Sequence, residues 1–116
     1  MKKLNVERSD IKEWLDVIGK AQQAKRKPLY KRVYELVAVP SRKRANVDLY
    51  KISRHTKDGE NVIVPGKVLG MGPMAHSVNI AAISFSASAR KNLKDANCKI
   101  VHIKDMLGMS KPRIIV

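Results

Sequence analysis

Two short runs gather the cationic side chains of this sequence: Lys25-Arg26-Lys27-Pro28-Leu29-Tyr30-Lys31-Arg32 and Arg42-Lys43-Arg44. Arginine presents a planar fork of donors that fits two oxygens of one phosphate, and lysine supplies a compact point charge. Side chains of these kinds, crowded together with few acids between them, are suited to neutralising a polyanion. From Lys20 to Lys57 there are 12 basic residues against two acids, Glu35 and Asp48. Most charge runs are only a solvated face, but solubility does not require so lopsided a ratio. Arg42-Lys43-Arg44 lies between Pro40 and Asn46 with only Ala45 to bury, so this loop is expected to stay loose until phosphates order it. The whole chain repeats the signature: Lys+Arg 24 and Asp+Glu 10 give a net charge of +14 in 116 residues. A domain that repels itself this strongly gains stability from a polyanion, and a folded RNA is favoured over a membrane.

A third candidate is Val62-Ile63-Val64-Pro65-Gly66-Lys67-Val68-Leu69-Gly70-Met71-Gly72. The Gly-Lys pair invites a phosphate-loop reading, which fails twice: Asn61 stands at the earlier glycine position and Val68 at the Ser/Thr position. Gly70, Gly72 and Ala75 fit a dinucleotide-binding spacing, but Pro73 interrupts the helix that this motif must open, and the chain is short for such a fold. A tight turn is the better account of the glycines. Lys67, with backbone N–H groups near Gly70 and Gly72, is left as a phosphate contact.

Catalysis and base reading have little support. His55, His76 and His102 lack metal-ligand spacing, and Cys98 reads as a small core residue. Ser84, Ser86 and Ser88 lack a nucleophile elbow and suit helix capping. No metal site, cofactor or small-molecule substrate is expected. Single-strand readers need exposed aromatics; here Trp14 and Phe85 fall on apolar faces, and Tyr30 divides evenly between phosphate contact and packing. The contact is therefore expected to be with RNA backbone and shape rather than with base edges.

These side chains need elements to hold them. Ser9-Asp10 is expected to cap a first helix, with Ile11, Trp14, Leu15 and Ile18 on one face. Pro28 opens a second helix lined by Leu29, Val33, Leu36 and Val37, which Pro40 stops. Ser41 to Asn46 reads as loop, and Leu49 and Ile52 mark a short third helix ending near His55. Val62-Ile63-Val64 and Val68-Leu69 read as two short strands around Pro65-Gly66, followed by a Gly70-to-Pro73 loop. Val78 to Phe85 reads as a buried strand. Ser86 caps a helix carrying Ala89, Leu93 and Ala96, with Asn97 as its left-handed terminator. Lys99 to Ile103 and Arg113 to Val116 read as strands, with at most one helical turn from Asp105 to Gly108. The expectation is a small mixed α/β domain with basic N-terminal helices. It is one domain, residues 1–116, with a basic helical part (1–58) and an α/β core (59–116).

Composition sets further bounds. The chain is 44% hydrophobic and only 4% aromatic, so its core must be aliphatic. One cysteine permits no disulfide framework, and a reducing compartment follows. The first residues become charged before an apolar stretch develops, which is not a signal peptide, and no apolar run is long enough to span a membrane.

The string from Val62 to Gly70, followed by Val78-Asn79-Ile80-Ala81-Ala82-Ile83-Ser84-Phe85-Ser86, resembles the archaeal and eukaryotic large-subunit ribosomal protein eighteen-e family. Pro40-Ser41-Arg42-Lys43-Arg44 before Val47-Asp48-Leu49 resembles its basic loop, and Ala87 to Ile100 its helix-to-strand passage. The resemblance runs from Ile11 to the C-terminus. It implies a structural protein of the large ribosomal subunit that binds large-subunit ribosomal RNA beside neighbouring ribosomal proteins. It also implies an α/β fold shared with bacterial large-subunit protein fifteen, of irregular β-β-α superhelical turns, with no catalytic residue and no cofactor. The lack of a long basic C-terminal extension resembles archaeal members. The expectation is thus a cytoplasmic, ribosomal RNA-binding protein whose contacts are Lys25, Arg26, Lys27, Lys31, Arg32, Arg42, Lys43, Arg44 and Lys67. The alternatives are an RNA- or DNA-binding regulator outside the ribosome and a small phosphate-ester enzyme using Lys67.

Overall fold

The computed structural model describes residues 4–39, 44–72, 74–109 and 111–116, with side chains from Ile11 onward. Helix α1 (Leu4–Lys25) and helix α2 (Pro28–Val37) form an antiparallel hairpin. Ser9 and Asp10 lie inside α1 instead of capping it. Once a helix is nucleated each further residue adds one hydrogen bond, and Ser or Asp in its interior costs only a few tenths of a kcal/mol. Pro28 sits at the start of α2 as expected, where its missing N–H loses no bond. Pro40, the expected stop, lies outside the described residues; α2 has already ended at Val37.

The rest of the chain winds strands and helices alternately. Strand β1 (Ala45–Asp48) runs into helix α3 (Leu49–His55), and strand β2 (Asn61–Leu69) is followed by strand β3 (Asn79–Phe85). Helix α4 (Ala87–Asp95), strand β4 (Lys99–Ile100), helix α5 (Ile103–Met106) and strand β5 (Arg113–Ile114) complete the order. Every strand pairing is parallel. β3 pairs along one edge of β2, and β4 lies beyond it. On the opposite edge β5 pairs with Val62 and Ile63, and β1 with Gly66 to Leu69, so the two lie end to end.

Several boundaries depart from the sequence reading. Ala45 and Asn46 belong to β1 instead of a loop, because the ladder with β2 gives their backbone groups partners. The two expected strands around Pro65-Gly66 are one strand. The register with β3 slips between Val64 and Lys67, leaving β2 one residue longer there. Such a bulge tolerates a proline that cannot donate. The expected 99–103 strand stops at Ile100, and Ile103 turns into α5. The C-terminal strand is Arg113–Ile114, extended by a bond from Ile115 N–H to Ile63 O at 3.0 Å.

Alternation along β2 divides the core between the two faces of the sheet. Val62, Val64 and Val68 pack with Leu49 and Ile52 of α3 and with Ala89 and Leu93 of α4. Ile63 points the other way, with Ala81 and Ile83, against Trp14 and Ile18 of α1 and Val33 and Val37 of α2. The basic hairpin is therefore anchored by its apolar stripe to the same sheet that carries Lys67.

No helix occurs among the described residues between β2 and β3, and side chains of α3 and the turn after it hold this crossover in place. Ser53 Oγ accepts from Ala75 N–H at 3.1 Å, and Asp58 Oδ1 accepts from Ser77 N–H at 3.0 Å. Buried Thr56 donates its hydroxyl proton to Ile52 O at 2.7 Å. His76 Nε2, also 2.7 Å from Thr56 Oγ1, must then be the protonated ring nitrogen and donate to that oxygen.

The expected caps of α4 are in place. Ser86 Oγ accepts from Ala89 N–H at 3.1 Å, and Asn97 closes the helix with φ of 60°.

Candidate nucleic-acid interface

The inward faces of α1 and α2 decide which way their charges point. Tyr30, Val33 and Val37 are buried on α2, which leaves Lys31 and Arg32 exposed on its outer side. Lys25 ends α1, where a cation suits the negative end of the helix dipole. Lys27 is the residue before α2 and makes no side-chain cap; its Nζ lies 5.8 Å from the centre of the Tyr30 ring. Tyr30 itself is 3% exposed, which settles it as packing instead of stacking on a base. Lys25, Arg26, Lys27, Lys31 and Arg32 are all exposed. The two ion pairs between described residues, His102–Glu13 and Arg113–Glu60, involve none of them. Five cations thus crowd one end of a hairpin without a carboxylate partner among the described residues, and Lys27 and Lys31 repel each other one turn apart.

Arg26 is held with φ of 48°, in the left-handed region, where its N–H donates to Gln22 O at 2.8 Å and closes α1. Glycine or asparagine takes this position more easily, and a larger side chain there costs roughly 1 kcal/mol or more. Arg26 thus holds a position that suits glycine while adding an exposed charge beside four other cations. Arg26→Gly is expected to raise stability by about 0.5–1 kcal/mol while weakening RNA binding. Parallel thermal melts and RNA titrations should move in opposite directions.

Arg42 and Lys43 lie outside the described residues. Arg44 takes on a structural task that the sequence did not suggest: its Nη2 donates to Val39 O at 2.9 Å and its Nε to Val37 O at 3.3 Å. It thereby satisfies carbonyls at the end of α2 that have no helical partner. Lys67 is exposed on β2 between Asn46 of β1 and Ser84 of β3. Arg44 and Lys67 line one notch with Asn46 and Ser84, with a volume of about 80 Å³. The Lys25–Arg32 cluster is not part of this notch.

The glycines after Lys67 are explained by packing. A methyl group on Gly70 would lie 2.7 Å from Ala89 N and 2.2 Å from Ser88 Oγ, so the N-terminus of α4 abuts it. Gly70 O also accepts from Asn92 Nδ2 at 3.1 Å. Cys98 is half-buried, with its Sγ 3.7 Å from His76 O. No group of three His, Cys, Asp or Glu side chains able to hold a metal ion occurs among the described residues. No helix among them is long and apolar enough to cross a membrane.

Sequence reasoning missed Asn46, Ser84 and Lys104. Lys104 joins Lys20 and Lys25 around an apolar cleft of about 380 Å³ floored by Val17, Ala21 and Leu107. Ser84 and Lys104 stand apart from the basic runs and reach Lys67 or Lys20 and Lys25 only through the fold, while Asn46 follows Arg44 closely but carries no charge to mark it.

No family model matches the chain. Individual relatives do. A protein of Sulfurisphaera tokodaii is 39% identical over 93 residues, covering 80% of this chain and 75% of the relative. One of Nanoarchaeum equitans is 36% identical over 99 residues (84% and 80%), and one of Archaeoglobus fulgidus 37% over 93 residues (80% of each). Each of the three bears the name large ribosomal subunit protein eL18.

Proposed function

This chain belongs to the large ribosomal subunit protein eL18 family, and from that membership we propose that it is a structural component of the large subunit of cytoplasmic ribosomes. In this reading residues 1–116 act as a single domain that binds large-subunit ribosomal RNA beside neighbouring ribosomal proteins and catalyses no reaction. The observation that supports RNA binding is the exposed end of the α1–α2 hairpin, where Lys25, Arg26, Lys27, Lys31 and Arg32 have no carboxylate partner among the described residues. Five like charges on a hairpin end are unfavourable in a free protein and favourable against sugar-phosphate strands, which release counterions when neutralised. The sheet core keeps these groups in a fixed arrangement, so the contact reads backbone shape.

Sucrose-gradient fractionation of a cell extract, probed for this chain, tests the assignment. The protein is expected with large subunits and whole ribosomes, and to be stripped from them as salt rises. Its absence from those fractions overturns the proposal. Recovery with short RNAs at the top of the gradient would instead identify a regulator outside the ribosome.

A further inference from the structure

The geometry points to a seat for a single RNA phosphate, built from Arg44, Asn46, Lys67 and Ser84 at the end of the sheet, an inference that rests on the RNA-binding reading above. Strand register sets Asn46, Lys67 and Ser84 side by side across β1, β2 and β3. The next row, Val47, Val68 and Phe85, is entirely apolar. The sheet has another polar row at its opposite end, Asn61, Asn79 and Lys99, where Asn79 Nδ2 donates to Asn61 Oδ1 at 2.9 Å; the row with Lys67 opens instead onto a notch beside Arg44. All three residues of that row line one notch with Arg44, and no carboxylate among the described residues lines it. Its volume, about 80 Å³, lies far below the roughly 300–1,000 Å³ of sites that enclose small molecules, which suits a phosphate group better than a nucleotide.

Arg44 supplies the direction. Its Nε and Nη2 each donate to a carbonyl near the end of α2, which occupies two of the five N–H donors of the guanidinium. Among the described residues Nη1 has no partner. One of its hydrogens and the second hydrogen of Nη2 form the edge that forks onto two oxygens of one phosphate. Two backbone carbonyls thus brace the group while that edge stays unspent. Lys67 has no ion-pair partner among the described residues, and it brings the second positive charge. Asn46 and Ser84 can donate to the oxygens that the cations do not reach.

The test uses the full chain and deproteinised large-subunit ribosomal RNA, with binding measured between about 50 and 200 mM potassium chloride. Lys67→Ala should flatten the dependence of log K on log salt by about 0.7–0.9, the value of one phosphate. Asn46→Ala and Ser84→Ala should each weaken binding about two- to tenfold and leave the slope alone, because they remove neutral hydrogen bonds. Arg44→Lys keeps the charge and loses the fork, so affinity should fall with the slope preserved. Ser84→Ala should matter less once Lys67 is already alanine, because both act on one phosphate. Thermal melts of each variant separate lost binding from lost folding. Wild-type slope and affinity in folded Lys67→Ala, or strictly additive effects of the Lys67 and Ser84 changes, overturn the shared seat. If the wild type binds steeply with salt and only alanines in the Lys25–Arg32 cluster flatten it, the notch alone is wrong. If wild-type binding shows no salt dependence, the RNA-binding reading fails with it.

Discussion

Gly66→Ala is expected to cost about 3 kcal/mol or more of stability and to lower the melting temperature by roughly 10 °C or more. The added methyl group would lie 2.0 Å from Ala45 O and 2.8 Å from Ala45 C. These are backbone atoms of β1, and Ala45 is the register partner of Gly66. No side-chain rotation can clear them. The methyl can be admitted only if β1 moves away, which breaks the ladder from Ala45 to Asp48 and draws Val47 and Leu49 out of the core. Gly59→Ala is the control. Gly59 has φ of +85° but nothing within 4 Å of its added methyl, so only the dihedral penalty of roughly 1–2 kcal/mol applies. Circular-dichroism melts of the two variants should differ clearly, and a Gly66→Ala protein that melts with the wild type would refute the close approach of β1 and β2.

Replacing Lys25, Arg26, Lys27, Lys31 and Arg32 together by alanine is expected to weaken binding to large-subunit ribosomal RNA by about two to four orders of magnitude near 100 mM salt. Each cation that neutralises a phosphate contributes about 0.7–0.9 to the salt slope, so the slope should fall by up to roughly 4. Stability should hold or rise. All five side chains are exposed, alanine is the best helix former at the helical positions 25, 31 and 32, and like-charge repulsion is removed. Loss of affinity without loss of fold would separate this cluster from the core. Unchanged affinity and slope would remove it from the interface.

Local signals in the chain were read correctly where local chemistry decides the structure. Pro28 fixes the start of α2 through its locked φ and missing donor. Ser86 and Asn97 bracket α4 because a hydroxyl cap and a left-handed terminator are short-range devices. The α/β class and the family resemblance were also legible. One local signal failed: the Ser9-Asp10 cap is overrun by a helix that begins before it. The other errors lie where pairing with distant residues overrides local preference. Pro65-Gly66 looks like a strand break, and only the bulge opposite β3 lets one strand run through it. Ala45-Asn46 looks like loop until β2 supplies its partner. Lys67 was singled out as an isolated contact, whereas Asn46 and Ser84 carry no signal until the register aligns the three. Arg44 looked like one of three equivalent loop cations; its bonds to Val37 and Val39 carbonyls make it a brace for α2 as well.

The shared edge of β2 has a consequence for how the polypeptide is made. β1 covers one half of that edge and β5 the other, yet 64 residues separate them along the chain. As the nascent chain emerges, Val62 and Ile63 present unpaired peptide groups until Arg113 and Ile114 follow, and open strand edges recruit strangers. Molecules cut short before Arg113 should therefore stick to one another, which gives premature termination a visible signature as aggregate.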